Sequence, residues 1–263
     1  MISPTPNMIA EKVGPVGRLV FNKPQKHNAT STDMWEAIPV ILDDFEKDPA
    51  IRVVVVTGAG DKAFVSGADI SEFEKARNTP EQVAYYDKIG EEANRRLNKC
   101  SKPTIARIRG YCIGGGLAVS LLCDIRIASE NSRFGVPAAR LGLGYRASGL
   151  KILTDLVGPS HAKEFFFTAR HFNAQEAFDM GLVTRVVPDE ELGSAALNVA
   201  RELAAGPRSL GMIKRTAWAA NDSSLEAAMA AERAAQREAS RSEDFIEGVT
   251  AFLGKRPPHF KGR

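Results

Sequence analysis

Two glycine-bearing stretches hold the residues best suited to chemistry. They are Ser66-Gly67-Ala68-Asp69-Ile70 and Gly110-Tyr111-Cys112-Ile113-Gly114-Gly115-Gly116. Each follows a run that reads as a buried strand, so each can present a free main-chain N–H at a strand end. The second leads into the apolar run 117–122, which reads as a buried helix. A helix start offers unpaired donors and the positive end of the dipole. Two such donors aimed at one carbonyl make an oxyanion hole. For either loop alone the simpler reading is tight packing of a helix on a sheet, which glycine permits. It is the pair that points to chemistry.

Other chemistry-bearing residues are weaker signals. Gly58-Ala59-Gly60-Asp61-Lys62-Ala63 follows a buried strand and resembles a relaxed dinucleotide fingerprint, but Phe64-Val65-Ser66-Gly67 comes next and no helix opens where a pyrophosphate would sit. Cys100, Cys112 and Cys123 are spaced 12 and 11 apart, which fits neither a disulfide framework nor a zinc site. His161 and His171 lack metal-ligand spacing, and no nucleophile-elbow sequence appears. Asp69 reads first as a cap of the helix that follows it, and Asp124 as a structural hydrogen-bonding residue. Arg146 and Ser148 are candidates for a substrate carboxylate or for a helix start. One of Tyr85 and Tyr86 is a candidate for lining an acyl pocket.

The elements that must position these residues follow from periodicity. Strands are predicted at 17–21, 51–57, 104–108 and 124–128, the second a continuous β-branched run that suits burial on both faces. Helices are predicted from Ser31 or Thr32 to about 46, with Pro39 kinking or splitting it, and from Pro80 to about 98. From about residue 147 helical patterns dominate, at 149–157, 160–168, 174–180, 190–205, 208–219, 223–239 and 243–253, interrupted by a short strand at 182–187. Alternating strands and helices followed by helices almost alone argue an α/β core with a helical C-terminal region. The chain has 263 residues, 44% apolar and 25% charged, an ordinary globular composition. A net charge of +3 gives no electrostatic case for nucleic acid. No apolar run approaches the roughly 18 to 20 residues of a membrane span, and the start carries no signal-peptide pattern, so no membrane partner and a cytoplasmic location are expected.

The two loops and their flanking text resemble the crotonase (enoyl-CoA hydratase/isomerase) superfamily. The matching stretches are NKPQKHNA (22–29), VVVVTGAGDKAFVSGADI (53–70), KPTIARIRGYCIGGGLAVSLLCDIRIAS (102–129), FGVPAARLGLG (134–144), AKEFFFTARHFNAQEAFDMGLVTRVV (162–187) and GVTAFLGKRPPHF (248–260). The resemblance implies an α/β crotonase-like (ClpP/crotonase) fold of repeated ββα units. It implies a core over 1–200, a helical trimerisation region over 201–263, and a homotrimer or dimer of trimers. It also implies a lyase of fatty-acid metabolism acting on an acyl-CoA thioester, with no cofactor beyond the coenzyme A of the substrate and no metal. Carried over residue by residue, the oxyanion donors are the N–H groups of Ala68 and Gly115, beside Gly114. Lys26, His27 and Ala29, with Ser66, Asp69 and Ile70, fall where the family cradles the adenine and pantetheine. Pro137 and Leu141 fall on the substrate side, and Lys255 falls where a basic residue, often from a neighbouring subunit, meets the CoA phosphates.

The match departs from the hydratase pattern at two positions. Hydratases of this family carry two glutamates that manage water and the α-proton; Ala118 and Ala138 stand in their places. Methyl groups transfer no protons, so hydration by that route is not expected. The run Leu141-Gly142-Leu143-Gly144-Tyr145-Arg146-Ala147-Ser148-Gly149, with AKEFFFTA (162–169), is similar to the methylmalonyl-CoA decarboxylase branch, in which a tyrosine at the Tyr145 position faces the substrate carboxylate. That branch has a histidine where Ala68 stands and a glutamate where Ala118 stands. The alternatives are therefore a malonyl- or methylmalonyl-type decarboxylase using Tyr145, or an acyl-CoA-binding protein with degenerate catalysis.

Overall fold

The computed structural model describes residues 3–72 and 78–263. Ten strands form two sheets among these residues. The larger is ordered β1-β2-β3-β5-β7-β10, from Met8–Val13, Val16–Phe21, Val53–Gly58, Thr104–Ile108, Ile125–Ser129 and Arg185–Val187. Only its β1–β2 hairpin is antiparallel. The smaller is β4-β6-β8-β9, from Ala63–Val65, Tyr111–Ile113, Arg133–Gly135 and Phe172–Asn173. Consecutive strands divide between the sheets: β3 hands on to β4, β5 to β6 and β7 to β8. This is the repeated ββ unit of a crotonase-like α/β fold.

Nine helices accompany the sheets among the described residues: α1 (Thr32–Lys47), α2 (Pro80–Asn98), α3 (Gly115–Leu121), α4 (Ala147–Thr168), α5 (Ala174–Asp179), α6 (Leu192–Ala205), α7 (Ser209–Asp222), α8 (Leu225–Ala239) and α9 (Glu243–Leu253). The β-branched run of β3 is buried throughout. Side chains alternate across a strand, so Val54 and Val56 join the main core while Val53 and Val55 face the opposite side. The main core is filled by the buried face of α1 (Met34, Trp35, Ile38, Ile41, Leu42, Phe45) together with residues of α2 and α3. On the opposite face α6 lays Leu192, Ala196, Ala200 and Ala204 against Val16, Val53, Val55, Ile105 and Ile127. The division expected at residue 200 therefore falls inside a helix packed on the sheet.

The structure departs from the expected elements in several places. α1 runs on through Pro39 instead of splitting there. Proline removes one helical hydrogen bond, but each Ile, Leu or Phe buried on that helix contributes roughly 1.5–3 kcal/mol, so packing wins. The stretch 58–70, which its glycines mark as a loop after the run 51–57, contains the strand β4. The hairpin strand β1, absent from the sequence reading, pairs with β2 along its whole length. The two helical patterns 149–157 and 160–168 lie in α4, interrupted where Gly158 leaves helical geometry before Pro159.

Candidate active site

The two glycine loops meet. β4 and β6 are parallel neighbours, with Val65 opposite Cys112, so the turns that leave them emerge side by side. A Cβ built on Gly114 would stand 3.8 Å from the Cα of Gly67 and 3.9 Å from Cδ of Pro137. Three segments distant in sequence thus border one spot.

The first loop is tied on one side only. Thr30 N donates to Gly67 O at 2.8 Å, and Asp69 N donates to Thr30 O at 2.9 Å. Thr30 and Ala68 form a parallel bridge. In extended chain successive amides point to opposite sides, so the N–H of Ala68 faces away from Thr30. Among the described residues it has no acceptor. Ser66 N donates to His27 O at 3.2 Å, which brings the 26–29 segment alongside this loop.

The second loop turns at Gly114, whose φ of 53° and ψ of −114° suit glycine alone. Its N–H donates to Gly135 O at 2.9 Å, and its carbonyl accepts from Ala118 N at 3.0 Å. Gly115 opens α3, and its N–H has no acceptor among the described residues. Tight packing accounts for Gly116, where a Cβ would lie 2.0 Å from Val65 O. It does not account for Gly115, where a Cβ would make only ordinary contacts, 3.7 Å to Trp35 Cζ2 and 3.9 Å to Thr30 Oγ1.

Asp69 is a buried carboxylate held by cations. Its Oδ2 accepts from Lys23 Nζ and Lys26 Nζ, each at 2.9 Å, and its Oδ1 accepts from Ser71 N at 3.1 Å, as a helix cap does. Burial alone would raise its carboxyl; donation from Lys23, Ser71 and Lys26 outweighs that and holds it well below the usual range. Lys23 is itself buried and reaches Glu72 at 3.1 Å. Nothing in the sequence reading singled out Lys23, although it lies within the NKPQKHNA stretch. Ala29 is buried, Ser66 half-buried, and Ile70 exposed at the rim. His27 is exposed and left-handed (φ 51°), its ring 6.0 Å from that of Tyr111, which in turn meets His171 at 6.2 Å.

The residues in the glutamate places are a half-buried Ala118 on α3 and a buried Ala138 in the 3-10 turn Pro137–Leu141. Pro137 is half-buried and Leu141 exposed. Tyr145, half-buried, packs its ring 4.6 Å from that of Phe166. Its hydroxyl has no hydrogen-bond partner among the described residues, and burial pushes the phenol above its ordinary value. Arg146 is the N-cap residue before α4 and is taken by two carboxylates of α2, Asp87 at 2.7 Å and Glu91 at 2.6 Å. Tyr86 is buried, its hydroxyl accepting from Trp35 Nε1 at 2.9 Å, whereas Tyr85 is exposed and pairs with Glu36. Trp35, which makes that bond, flanks Gly115, a neighbour that sequence spacing alone gave no means of finding.

Other candidates lie elsewhere. Lys255 is exposed (φ 52°) on the tail after α9, which is hydrogen-bonded to that helix: Glu247 receives Arg256 and His259 N, and Asp244 receives Lys261 N and Gly262 N. Asp124 is structural, accepting from Thr104 N at 2.7 Å and from Lys214 Nζ at 2.7 Å. The three cysteines are buried and free, and burial pushes Cys112 and Cys123 up to about 12. No metal-ligating cluster and no membrane-length apolar helix occur among the described residues.

Residues 11–263 match the enoyl-CoA hydratase/isomerase family. The chain is 37% identical to a short-chain-enoyl-CoA hydratase of Clostridium acetobutylicum, over 95% of each chain. It is 35% identical to a crotonyl-CoA hydratase of Syntrophomonas wolfei, over 97% of each. The crystal structure of an enoyl-CoA hydratase from Bacillus anthracis superposes with a TM-score of 0.91 at 32% identity, over 98% of this chain and 100% of that one. Fold, loop geometry and these similarities agree: the chain belongs to the enoyl-CoA hydratase/isomerase (crotonase) family of enzymes.

Proposed function

We propose that the chain is an acyl-CoA thioester lyase that holds a thioester enolate between the N–H groups of Ala68 and Gly115. The observation that carries this reading is that two adjoining loops keep those donors unused while Asp69 N and Gly114 N beside them are bonded. Donors aimed where negative charge develops stabilise the transition state without reorganising. The 26–29 segment and the rim at Ser66 and Ile70 would hold the nucleotide and pantetheine, and Lys255 of a neighbouring subunit the phosphates. The exposed apolar side chains of α9, Phe245, Ile246, Val249, Phe252 and Leu253, suit a trimer contact.

The reaction we propose is decarboxylation of a malonyl-type thioester, with two-glutamate hydration set aside because Ala118 and Ala138 carry no proton-transferring group. The bond between the α-carbon and the carboxylate breaks, its electron pair becomes the enolate, carbon dioxide leaves, and the α-carbon takes a proton. Tyr145 supports this reading, since its unpartnered phenol is free to orient the carboxylate or to deliver that proton. The test is a parallel assay of crotonyl-CoA hydration by absorbance and of carbon dioxide release from malonyl-CoA and methylmalonyl-CoA. Carbon dioxide release well above hydration is expected. Efficient hydration would overturn the choice of reaction, and binding without turnover on every ester would favour a degenerate acyl-CoA-binding role.

A further inference from the structure

Arg126 is a buried cation with no part in the chemistry proposed for the two loops. It stands on β7, 4% exposed, and no carboxylate touches it among the described residues. Its guanidinium instead donates to three carbonyls: Nε to Leu182 O at 2.7 Å, and Nη1 to Cys123 O at 2.6 Å and Ser120 O at 3.3 Å. Asp124, the nearest carboxylate along the chain, is already occupied by Lys214.

Two of those carbonyls mark the end of α3. Ser120 lies in its last turn, and Cys123 comes immediately after its C-cap, Leu122. Helix ends leave carbonyls without partners and carry the negative pole of the dipole, and a cation there is favourable. α3 has seven residues, so its two ends are about 10 Å apart. Gly115 opens the other end. A seven-residue helix has a small dipole of its own. A full charge fixed at its far end, in a site shielded from water, adds to the field at the Gly115 amide and holds the helix in place along its axis.

We infer that Arg126 is a positioning residue for the reaction: it anchors and polarises α3 from behind, so that the Gly115 N–H meets the thioester oxygen in register with Ala68. This rests on the oxyanion reading of those two amides. Arg126 touches no substrate. Its role differs from that of a residue that only satisfies carbonyls, because the field of its charge should reach the bound ester.

The experiment is infrared difference spectroscopy of butyryl-CoA labelled with carbon-13 at the thioester carbonyl, an ester with no double bond to hydrate and no carboxylate to lose. Wild type is expected to lower the carbonyl stretch of the bound ester. Arg126→Gln keeps donors for the carbonyls but removes the charge; it should lose most of that shift and, in a parallel assay with malonyl-CoA, about tenfold in kcat, while affinity for free coenzyme A changes less than twofold. Arg126→Lys restores a cation and should recover most of the shift. A folded Arg126→Gln protein with the full wild-type shift would overturn the inference. If Arg126→Gln does not fold, Arg126→Lys decides: a retained shift supports the inference and a lost shift overturns it. No shift in wild type itself would count against the oxyanion reading, a separate failure.

Discussion

Gly116 and Val65 are in such close contact that a single methyl group cannot pass between them: a Cβ on Gly116 would lie 2.0 Å from the Val65 carbonyl oxygen. The neighbouring Gly115 has no such restriction. Gly116→Ala is therefore expected to destabilise the protein by about 3 kcal/mol or more, since backbone would have to move. Gly115→Ala should fold with nearly unchanged stability and show its effect in turnover, where the methyl group crowds the proposed ester position. Urea denaturation beside steady-state kinetics separates the two.

The clasp of Lys23 and Lys26 on Asp69 gives a signed pH dependence. The folded carboxyl of Asp69 is depressed, so its contribution to stability is fully present above the unfolded value of about 3.9 and is lost as pH falls from there toward the folded value. Asp69→Asn should cost about 3 kcal/mol at neutral pH, because the buried Lys23 then keeps only the more exposed Glu72 as a counter-charge. The difference from wild type should shrink steadily below about pH 4. Urea midpoints for both proteins at pH 7 and pH 3 check this.

Tyr145 packs through its ring and leaves its hydroxyl unbonded. Tyr145→Phe should accordingly keep the melting temperature and lower carbon dioxide release from methylmalonyl-CoA by about a hundredfold, the low end for loss of a proton-transfer group. An unchanged rate would remove Tyr145 from the reaction.

Phe252 is 82% exposed on α9, with Leu253 beside it at 75%. Phe252→Asp should shift sedimentation from an oligomer toward a monomer. Wild type sedimenting as a monomer would exclude this face as a subunit contact.

The parts of the fold visible in the sequence were those with long periods. The run 51–57 reads as a buried strand from its β-branched continuity, and Pro80 marks the start of a helix that ends at Asn98 as expected. β4, β6 and β8 have three residues each, too short for alternation to register, yet they carry both site loops. The loops themselves were legible because glycine at Gly114 and Gly116 is demanded by backbone angle and by contact. The partners that hold them were not. Lys23 meets Asp69 across 46 positions and Trp35 meets Tyr86 across 51, distances over which only the folded chain brings residues together.

The division of successive strands between two sheets has a consequence for how the molecule comes apart. Neither sheet is a contiguous piece of chain, so neither can detach while the other survives. Limited proteolysis should yield no stable half from the first 187 residues, and thermal melting of that region should be a single cooperative event, with both amide-bearing turns lost together.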